Sequence, residues 1–299
     1  MATAHLATAH PSPASARRDL SGLWGYLLVS PPVLIMTLLI FFPIAQSVLR
    51  TLFVENASTG QVALSLENYA NFFNSRVLTN NLWFTVTETL ATVSALFVIG
   101  FPLSLYLRFS QSRIAAAVQI LALFPLFVPG IILAYALIQF LGSHGSLDTM
   151  LRNIGFTDYT TPYLKPQGIV IALVWEHIPF TVLVLTAGFR QVENAVIESA
   201  RDVGANGWQI FTRILLPLVQ RSALIVFCLN VIGVFGAFTL PYLLGPAQPM
   251  MMGVSMQQTF NSYNDYQGAE TQAVITFLIC ATVGMLYVYT ITRPRAERT

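Results

Sequence analysis

Polar side chains that stand alone within long apolar segments are the first candidates for chemistry in this sequence. Glu88, Glu176 with its neighbour His177, and Asn230 lie in such segments. A charged group at bilayer depth costs about 2.5 to 3.5 kcal/mol on insertion scales, so it usually faces a bundle interior or a water-filled path. These positions therefore predict a translocation path that favours cations. The simpler alternative is hydrogen bonding between helices, worth about 0.6 kcal/mol for each bond.

Aromatic residues near the same segments could form a gate on this path. Phe235 and Phe238 join Glu88, Glu176 and Asn230 as candidate path residues, and the further gate candidates are Tyr135 and Tyr242. Helix packing is the simpler explanation for each aromatic residue. His177 follows Glu176 directly, so the two side chains do not share a helix face and a structural role is expected for the histidine.

Patterns for enzymatic chemistry are sparse. The sequence has no GxxxxGK[ST] phosphate loop, no HExxH, no CxxC and no GxSxG elbow, so neither a catalytic group nor a metal or cofactor site is expected. Ser143 and His144 are adjacent in a glycine-rich loop, which rarely gives the geometry of a catalytic triad. Cys228 and Cys280 lie in apolar runs and are expected to be buried filler.

A second candidate region is the polar stretch Glu198–Pro217, which lies between long apolar segments. Gly204 is expected to end a first helix in the left-handed conformation. Asn206 and Gln209 have the spacing of a capping box that starts a second helix. Pro217 fits the first turn of the helix that follows.

Side chains of the same stretch suggest two further contacts. Glu198 and Arg201 are three residues apart and could pair on one helical turn. Trp208, Phe211 and Leu215 are expected to share one face. The stretch is thus predicted to form a helix, turn, helix elbow with an aromatic face at a membrane surface.

The composition identifies the elements that must position these groups. Hydrophobic residues make up 55% of the 299 residues and charged residues only 9%, against about 25% charged in a typical soluble chain. The sequence predicts an all-α polytopic membrane protein, and a net charge of +2 gives no reason to expect nucleic acid. The six expected spans are 23–45, 81–107, 114–141, 168–189, 218–244 and 271–292.

Charge placement predicts the orientation of these spans. With the N-terminus inside, inner segments hold 11 of the 15 basic residues and outer loops hold four, so the positive-inside rule places both termini and the Glu198 stretch in the cytoplasm. Residues 1–20 and 293–299 are expected to be cytoplasmic tails, the first of them disordered. Residues 21–292 form the predicted membrane domain, with a cytoplasmic loop at 190–217.

The polar stretch also carries a resemblance to a known family. Glu198-Ser199-Ala200, Gly204, Ile214, Leu216 and Pro217 resemble the EAA loop of ABC importer permeases, with Ser199 in place of the first alanine. The resemblance implies the type I permease fold of the MetI-like superfamily, in a bacterial inner membrane. The ATPase-coupling residues that follow from it are Glu198, Ser199, Ala200, Arg201, Asp202, Gly204, Ala205, Trp208, Phe211, Ile214, Leu216 and Pro217.

Motifs outside the loop resemble one branch of that family. Trp175 with Pro179 and Phe180, and the segments 235–246 and 252–269, are similar to permeases for polyamines, iron, thiamine or phosphonates. Sugar permeases usually end the fifth helix differently. The resemblance implies two ATPase subunits that carry ATP and Mg, a soluble solute-binding protein, and a second permease subunit, more often a different chain than a copy.

Two rival functions remain open on the sequence. An ion-coupled secondary transporter would use Glu88 and Glu176 as its coupling carboxylates, and would show inverted repeats that the sequence does not display. A membrane scaffold or intramembrane hydrolase would depend on Ser143 and His144.

Overall fold

In a computed structural model, residues 20–55, 62–156 and 159–292 are described. The predicted tail at 293–299 and all but the last residue of the tail at 1–20 lie outside these residues. The chain divides into two units, residues 1–49 and 50–299.

The described part of the first unit is helical and apolar. Helix α1 spans Leu20–Met36, a π-helical turn spans Thr37–Phe41, and helix α2, Phe42–Leu52, begins here. Pro31 and Pro32 lie inside α1 without ending it, as a membrane helix permits when the freed carbonyls find other partners. The first expected span is confirmed as Gly25–Leu52.

The second unit is built from helices with one small hairpin. Strands β1, Phe53–Glu55, and β2, Val62–Leu64, pair antiparallel. The helices are α3 Glu67–Asn74, α4 Arg76–Phe109, α5 Arg113–Leu123, α6 Gly130–Leu141, α7 Ser146–Asn153, α8 Pro166–Arg190, α9 Asn194–Asp202, α10 Gly207–Ile210, α11 Leu216–Phe235, α12 Thr239–Leu244, α13 Met252–Asn261 and α14 Tyr266–Thr292.

Within the described residues, six helical segments are long and apolar enough to cross a membrane, which confirms the expected number. Their bounds are Gly25–Leu52, Arg76–Phe109, Gly130–Asn153, Pro166–Arg190, Gly207–Phe235 and Tyr266–Thr292.

Two expected spans were wrong in their continuity. The third, 114–141, is interrupted by a 3-10 turn at Phe124–Phe127 and by extended backbone at Val128, because Pro129 disfavours a helical residue before it. The fifth does not reach residue 244, since α11 ends at Phe235 and a new short helix begins at Thr239.

Helices α4, α8 and α11 pack together at the centre of the second unit. Small residues allow the close approach: a Cβ on Gly100 would lie 2.7 Å from Thr181 Cγ2, and one on Gly188 would lie 2.6 Å from Ser222 Cβ. Small residues at crossings are typical of helices that associate in membranes. Helices α4 and α8 run in the same direction, since Phe84 packs with Ile169 at one end and Phe101 packs with Phe189 at the other.

The segments expected to be loops at the opposite end from 190–217 contain short helices. Helix α4 holds one of these segments in place, because the Met250 amide donates to Asn81 Oδ1 at 3.0 Å and the Met252 amide donates to Thr85 Oγ1 at 2.8 Å. Asn81 Nδ2 also donates to Ser255 Oγ at 3.2 Å. The buried polar residues of α4 therefore fix the start of α13.

Candidate functional site

The elbow at 190–217 begins with α9 and ends it as the sequence predicts. Gly204 has φ of +85°, and its amide donates to the Arg201 carbonyl at 2.9 Å. The Ala205 amide donates to the Ala200 carbonyl, also at 2.9 Å. This pair of bonds is the Schellman motif, which satisfies the last carbonyls of a helix.

Helix α10 starts with the predicted capping box. Asn206 Oδ1 accepts from the Gln209 amide at 2.9 Å, and Gln209 Oε1 accepts from the Asn206 amide at 2.9 Å. A π-helical turn, Phe211–Leu215, then joins α10 to α11, and Pro217 lies in the first turn of α11. The backbone of the elbow is therefore satisfied by its own neighbouring residues.

The predicted aromatic face is confirmed only in part. The rings of Trp208 and Phe211 lie 5.6 Å apart. Leu215 is buried at 4% exposure, whereas Trp208 is 72% exposed, because the wider π-helical turn between them changes the direction of the later side chains. Leu215 thus belongs to the core beneath the elbow, together with Ile197 and Ile210.

The outer surface of the elbow mixes charged and apolar groups. The predicted pair between Glu198 and Arg201 is wrong: among the ion pairs of the described residues none joins them, and both side chains are exposed to solvent. Val203 is 85% exposed and Trp208 72%. An exposed valine and tryptophan on a polar segment are typical of a surface that a partner covers.

The remaining elbow candidates divide between surface and core. Ser199, Asp202, Leu216 and Pro217 are exposed, while Ala200, Ala205 and Ile214 pack partly buried against the cluster under the elbow.

Phe101 of α4 connects the elbow to the membrane helices. Its ring lies edge-on to Phe189 of α8 at 5.1 Å and edge-on to Phe211 of the elbow at 5.9 Å. Edge-to-face pairs of this kind contribute about 0.5 to 1.5 kcal/mol beyond the area they bury. Sequence reasoning missed Phe101, because an aromatic residue inside an apolar span carries no signal of its partners.

Arg108, near the end of α4, makes a second connection. Its Nε donates to the Phe189 carbonyl at 3.2 Å, and its Nη2 donates to the Val192 carbonyl at 3.0 Å and to Asn194 Oδ1 at 2.7 Å. The fork of the guanidinium thus joins α4 to the C-terminal end of α8 and the start of α9. In the sequence Arg108 gave only a positive charge next to a turn.

The two carboxylates of the predicted path have different surroundings. Glu88 on α4 is buried at 7% exposure, and its Oε2 has no hydrogen-bond partner within the described residues. Glu176 lies near the middle of α8, and its side chain is 41% exposed. A Cβ placed on Gly130, the first residue of α6, would lie 3.3 Å from Glu176 Oε1, so this carboxylate lies beside a helix N-terminus, which favours negative charge.

His177 packs back into the bundle rather than toward the path. Its Nδ1 lies 3.0 Å from the Leu173 carbonyl oxygen and 3.8 Å from Glu176 Oε2. A Cβ on Gly233 of α11 would lie 3.0 Å from His177 Nε2. The expected structural role thus has contacts to support it, although its ring also approaches Glu176.

Asn230 and the aromatic candidates are not brought to one place. Asn230 is buried, and its Nδ2 donates to Thr181 Oγ1 at 2.8 Å. Phe235 is also buried, whereas Phe238 is 38% exposed and stacks on Tyr242 with ring centres 5.3 Å apart. Tyr135 is 63% exposed.

The loop with Ser143 and His144 shows a structural arrangement. His144 Nδ1 lies 3.8 Å from Asp148 Oδ2, and the same carboxylate accepts from Arg152 Nε at 2.9 Å. His144 is thus directed to an ion pair at the start of α7. Among the described residues, no group of three or more His, Cys, Asp or Glu side chains could hold a metal ion.

The elbow and six apolar helices have counterparts in known proteins. Residues 100–297 match the family described as the binding-protein-dependent transport system inner membrane component. The chain belongs to this family, and it is the permease subunit of an ABC importer, a multi-pass inner-membrane protein that is not itself an enzyme.

Two curated relatives match along most of their length. The spermidine/putrescine transport system permease protein PotB of Haemophilus influenzae is 28% identical over 229 residues, which cover 75% of this chain and 79% of that protein. The sulfoquinovosyl glycerol transport system permease protein SmoG of Agrobacterium fabrum is 26% identical over 277 residues, 89% of each chain.

Solved structures show the fold. A chain of a bacterial alginate ABC transporter in complex with its alginate pentasaccharide-bound periplasmic protein has a TM-score of 0.76 and 18% identity, covering 92% of this chain and 96% of that one. A chain of the inward-facing methionine ABC transporter MetNI has a TM-score of 0.53 and 19% identity, covering 73% and 97%. The type I permease fold expected from the sequence is confirmed.

Proposed function

We propose that this permease imports a small cationic solute of the polyamine type, and that the elbow at 190–217 transmits the motion of two ATPase subunits to the helix bundle. In this proposal the elbow and both termini are cytoplasmic. A soluble binding protein delivers the solute at the opposite end of the bundle.

The coupling role rests on how the elbow is built. Its backbone is closed by a Schellman motif and a capping box, so it can move as one rigid piece. Phe101 and Arg108 join this piece to α4 and α8. An ATPase that covers the exposed Val203 and Trp208 can therefore displace two membrane helices, provided that it binds the two states of the bundle unequally.

The exposed carboxylate of Glu176 is the observation that carries the solute class. A carboxylate that is 41% exposed near the middle of an apolar helix needs water, a partner or a cation opposite it. Glu88 adds a buried oxygen without a partner. A polyamine supplies ammonium groups that compensate both charges, and the permease PotB, named for spermidine and putrescine, is among the relatives.

A second permease subunit completes the path. Six helices from one chain enclose half of it, and the exposed Phe238 and Tyr242 lie on the surface that a second subunit would face. We take this subunit to be a different chain, as the family resemblance implies.

ATP-dependent uptake by the reconstituted importer tests the solute class. The full complex in proteoliposomes is offered spermidine, putrescine, an iron chelate, a phosphonate or a disaccharide, the last because relatives named for sugar glycosides and disaccharides also match this chain. We expect spermidine or putrescine to be transported, and the Glu176→Gln variant to lose most of the rate while its complex still assembles.

Glu67→Gln is the matched control. Glu67 is exposed in the first turn of α3, outside the apolar segments, so its loss should leave uptake unchanged. Transport of the disaccharide but not of the amines would contradict the cationic class, and so would full spermidine uptake by Glu176→Gln.

A further inference from the structure

A polar cavity lies beside the turn between α4 and α5, at the same end of the bundle as the elbow. It has a volume of about 360 Å³. Its polar lining side chains are Arg108, Ser110, Gln111, Ser112, Gln119 and Arg190. The path and the ATPase-coupling surface do not account for this cavity.

The charge of the cavity is unbalanced. The two charged side chains among its lining residues are Arg108 and Arg190, and no carboxylate lines it in the described part of the chain. Arg108 uses Nε and Nη2 for its bonds to Phe189, Val192 and Asn194, which leaves both N–H groups of Nη1 for a ligand.

Arg190 has more donors to offer. Within the described residues its guanidinium makes neither an ion pair nor a hydrogen bond, and the residue is exposed at the end of α8. A guanidinium with free donors, facing a second one across a cavity, is the arrangement that binds phosphate.

Helix α5 adds a favourable dipole at the rim. Its 11 residues begin at Arg113, and Ser112 caps it by accepting from the Ala115 amide at 3.1 Å. The positive end of α5 therefore lies at the cavity, where it favours an anion.

The cavity also lies at the level of a membrane surface. It adjoins the point where α4 ends and α5 begins, and both helices are apolar. Tyr106 and Phe109 are 41% and 45% exposed in the last turn of α4, as aromatic residues are where they meet lipid headgroups. Basic pockets at this level bind anionic headgroups.

We propose that this cavity binds a phosphate group, supplied by the headgroup of an anionic phospholipid. Arg190 and Nη1 of Arg108 hold the phosphate oxygens. Since the same guanidinium of Arg108 anchors the start of α9, the bound headgroup stiffens the attachment of the elbow.

Native mass spectrometry of the purified full-length chain tests this binding. The chain is titrated with phosphatidylglycerol, with phosphatidylcholine, and with phosphatidylglycerol in the presence of excess inorganic phosphate. We expect tighter binding of phosphatidylglycerol than of phosphatidylcholine, and a loss of about fivefold in the phosphatidylglycerol affinity of Arg190→Gln, as expected for one basic residue at the surface.

Two variants separate the pocket from general surface charge. Arg190→Lys keeps the positive charge and should retain most of the affinity. Arg113→Gln removes an exposed arginine from the adjacent turn that does not line the cavity, and it should bind phosphatidylglycerol like the unchanged chain.

Three outcomes decide the proposal. Displacement of the lipid by inorganic phosphate from the unchanged chain would support the phosphate site and assign it to the soluble ion as well. Equal losses in Arg190→Gln and Arg113→Gln would overturn the proposal. Equal binding of the two phospholipids would overturn it too.

Discussion

The elbow at 190–217 and the polar positions inside the helix bundle satisfy their polar groups in opposite ways. In the elbow, Asn206 and Gln209 are three residues apart and bond to each other. In the bundle, Asn230 bonds to Thr181, 49 residues away, and Asn81 bonds to Ser255, 174 residues away. The elbow is thus shaped by its own short sequence, whereas the interior is shaped by the packing of distant helices.

This difference separates stiffness from attachment. The elbow can keep its form while the bundle changes state, because its caps are local. Its grip on the bundle depends on the distant contacts of Phe101 and Arg108. Variants at the two kinds of position should therefore differ in size and in character.

Phe101→Ala should have the largest effect. It removes the ring between Phe189 and Phe211, which we expect to lower the free energy of unfolding by about 3 kcal/mol. The substrate-stimulated ATP hydrolysis of the assembled complex should fall as well. Phe109→Ala, which removes a 45% exposed ring at the end of the same helix, is the control for both thermal unfolding and hydrolysis. Equal effects of the two variants would remove Phe101 from the connection.

Gly204→Val comes next, and it acts on the elbow alone. A Cβ at this position meets open space, so the cost comes from a φ of +85°, which a β-branched residue adopts at a cost of about 1 to 2 kcal/mol. We expect coupling to be lost while membrane insertion persists. Gly204→Asn tolerates this φ and should retain coupling, so equal hydrolysis by the two variants would contradict the rigid elbow.

Asn206→Ala should cost less. Loss of the N-cap of α10 removes the bond to the Gln209 amide, a change of about 1 kcal/mol. Asn206→Asp keeps an acceptor and should match the unchanged chain in a thermal unfolding series. If alanine and aspartate behaved alike, the capping box would not contribute to the stability of the elbow.

Thr181→Val should give the smallest change, and it probes the interior. It removes the acceptor of the Asn230 bond, worth about 0.6 kcal/mol on average in membrane helices. Thr181 and Thr282 both donate to the carbonyl four residues earlier. Thr282→Val is therefore a control that removes this local bond without an interhelical one, and the difference between the two unfolding midpoints isolates the contact with Asn230.

The same contrast explains what could be predicted from the sequence. The number of apolar helices and the turn at Gly204 follow from hydropathy and from glycine and asparagine at set positions, which are local properties. The break at Val128 also has a local cause in Pro129, but a long apolar run on both sides concealed it. The role of Phe101 depends on helices some 90 to 110 positions away, and short-range patterns carry no record of such contacts.

Glu198 and Arg201 show the opposite error. Their spacing permits a pair, but both side chains are exposed, and a surface pair of this kind is worth only about 0.3 to 0.5 kcal/mol. In the structure the two charges remain apart and available to a partner. Spacing on a helix is therefore a weaker guide to side-chain contacts than to backbone caps.

Capture of the ATPase by the elbow tests the central claim most directly. The measurement is the amount of ATPase subunit that co-purifies with the tagged chain from membranes that contain the whole importer. The double variant Val203→Asp with Trp208→Asp should lose the ATPase while its unfolding midpoint stays unchanged, because both side chains are exposed. Ile154→Asp with Phe156→Asp changes two exposed apolar residues beyond α7 and should retain it. Equal recovery of the ATPase with both double variants would contradict the assignment of the elbow as the coupling element.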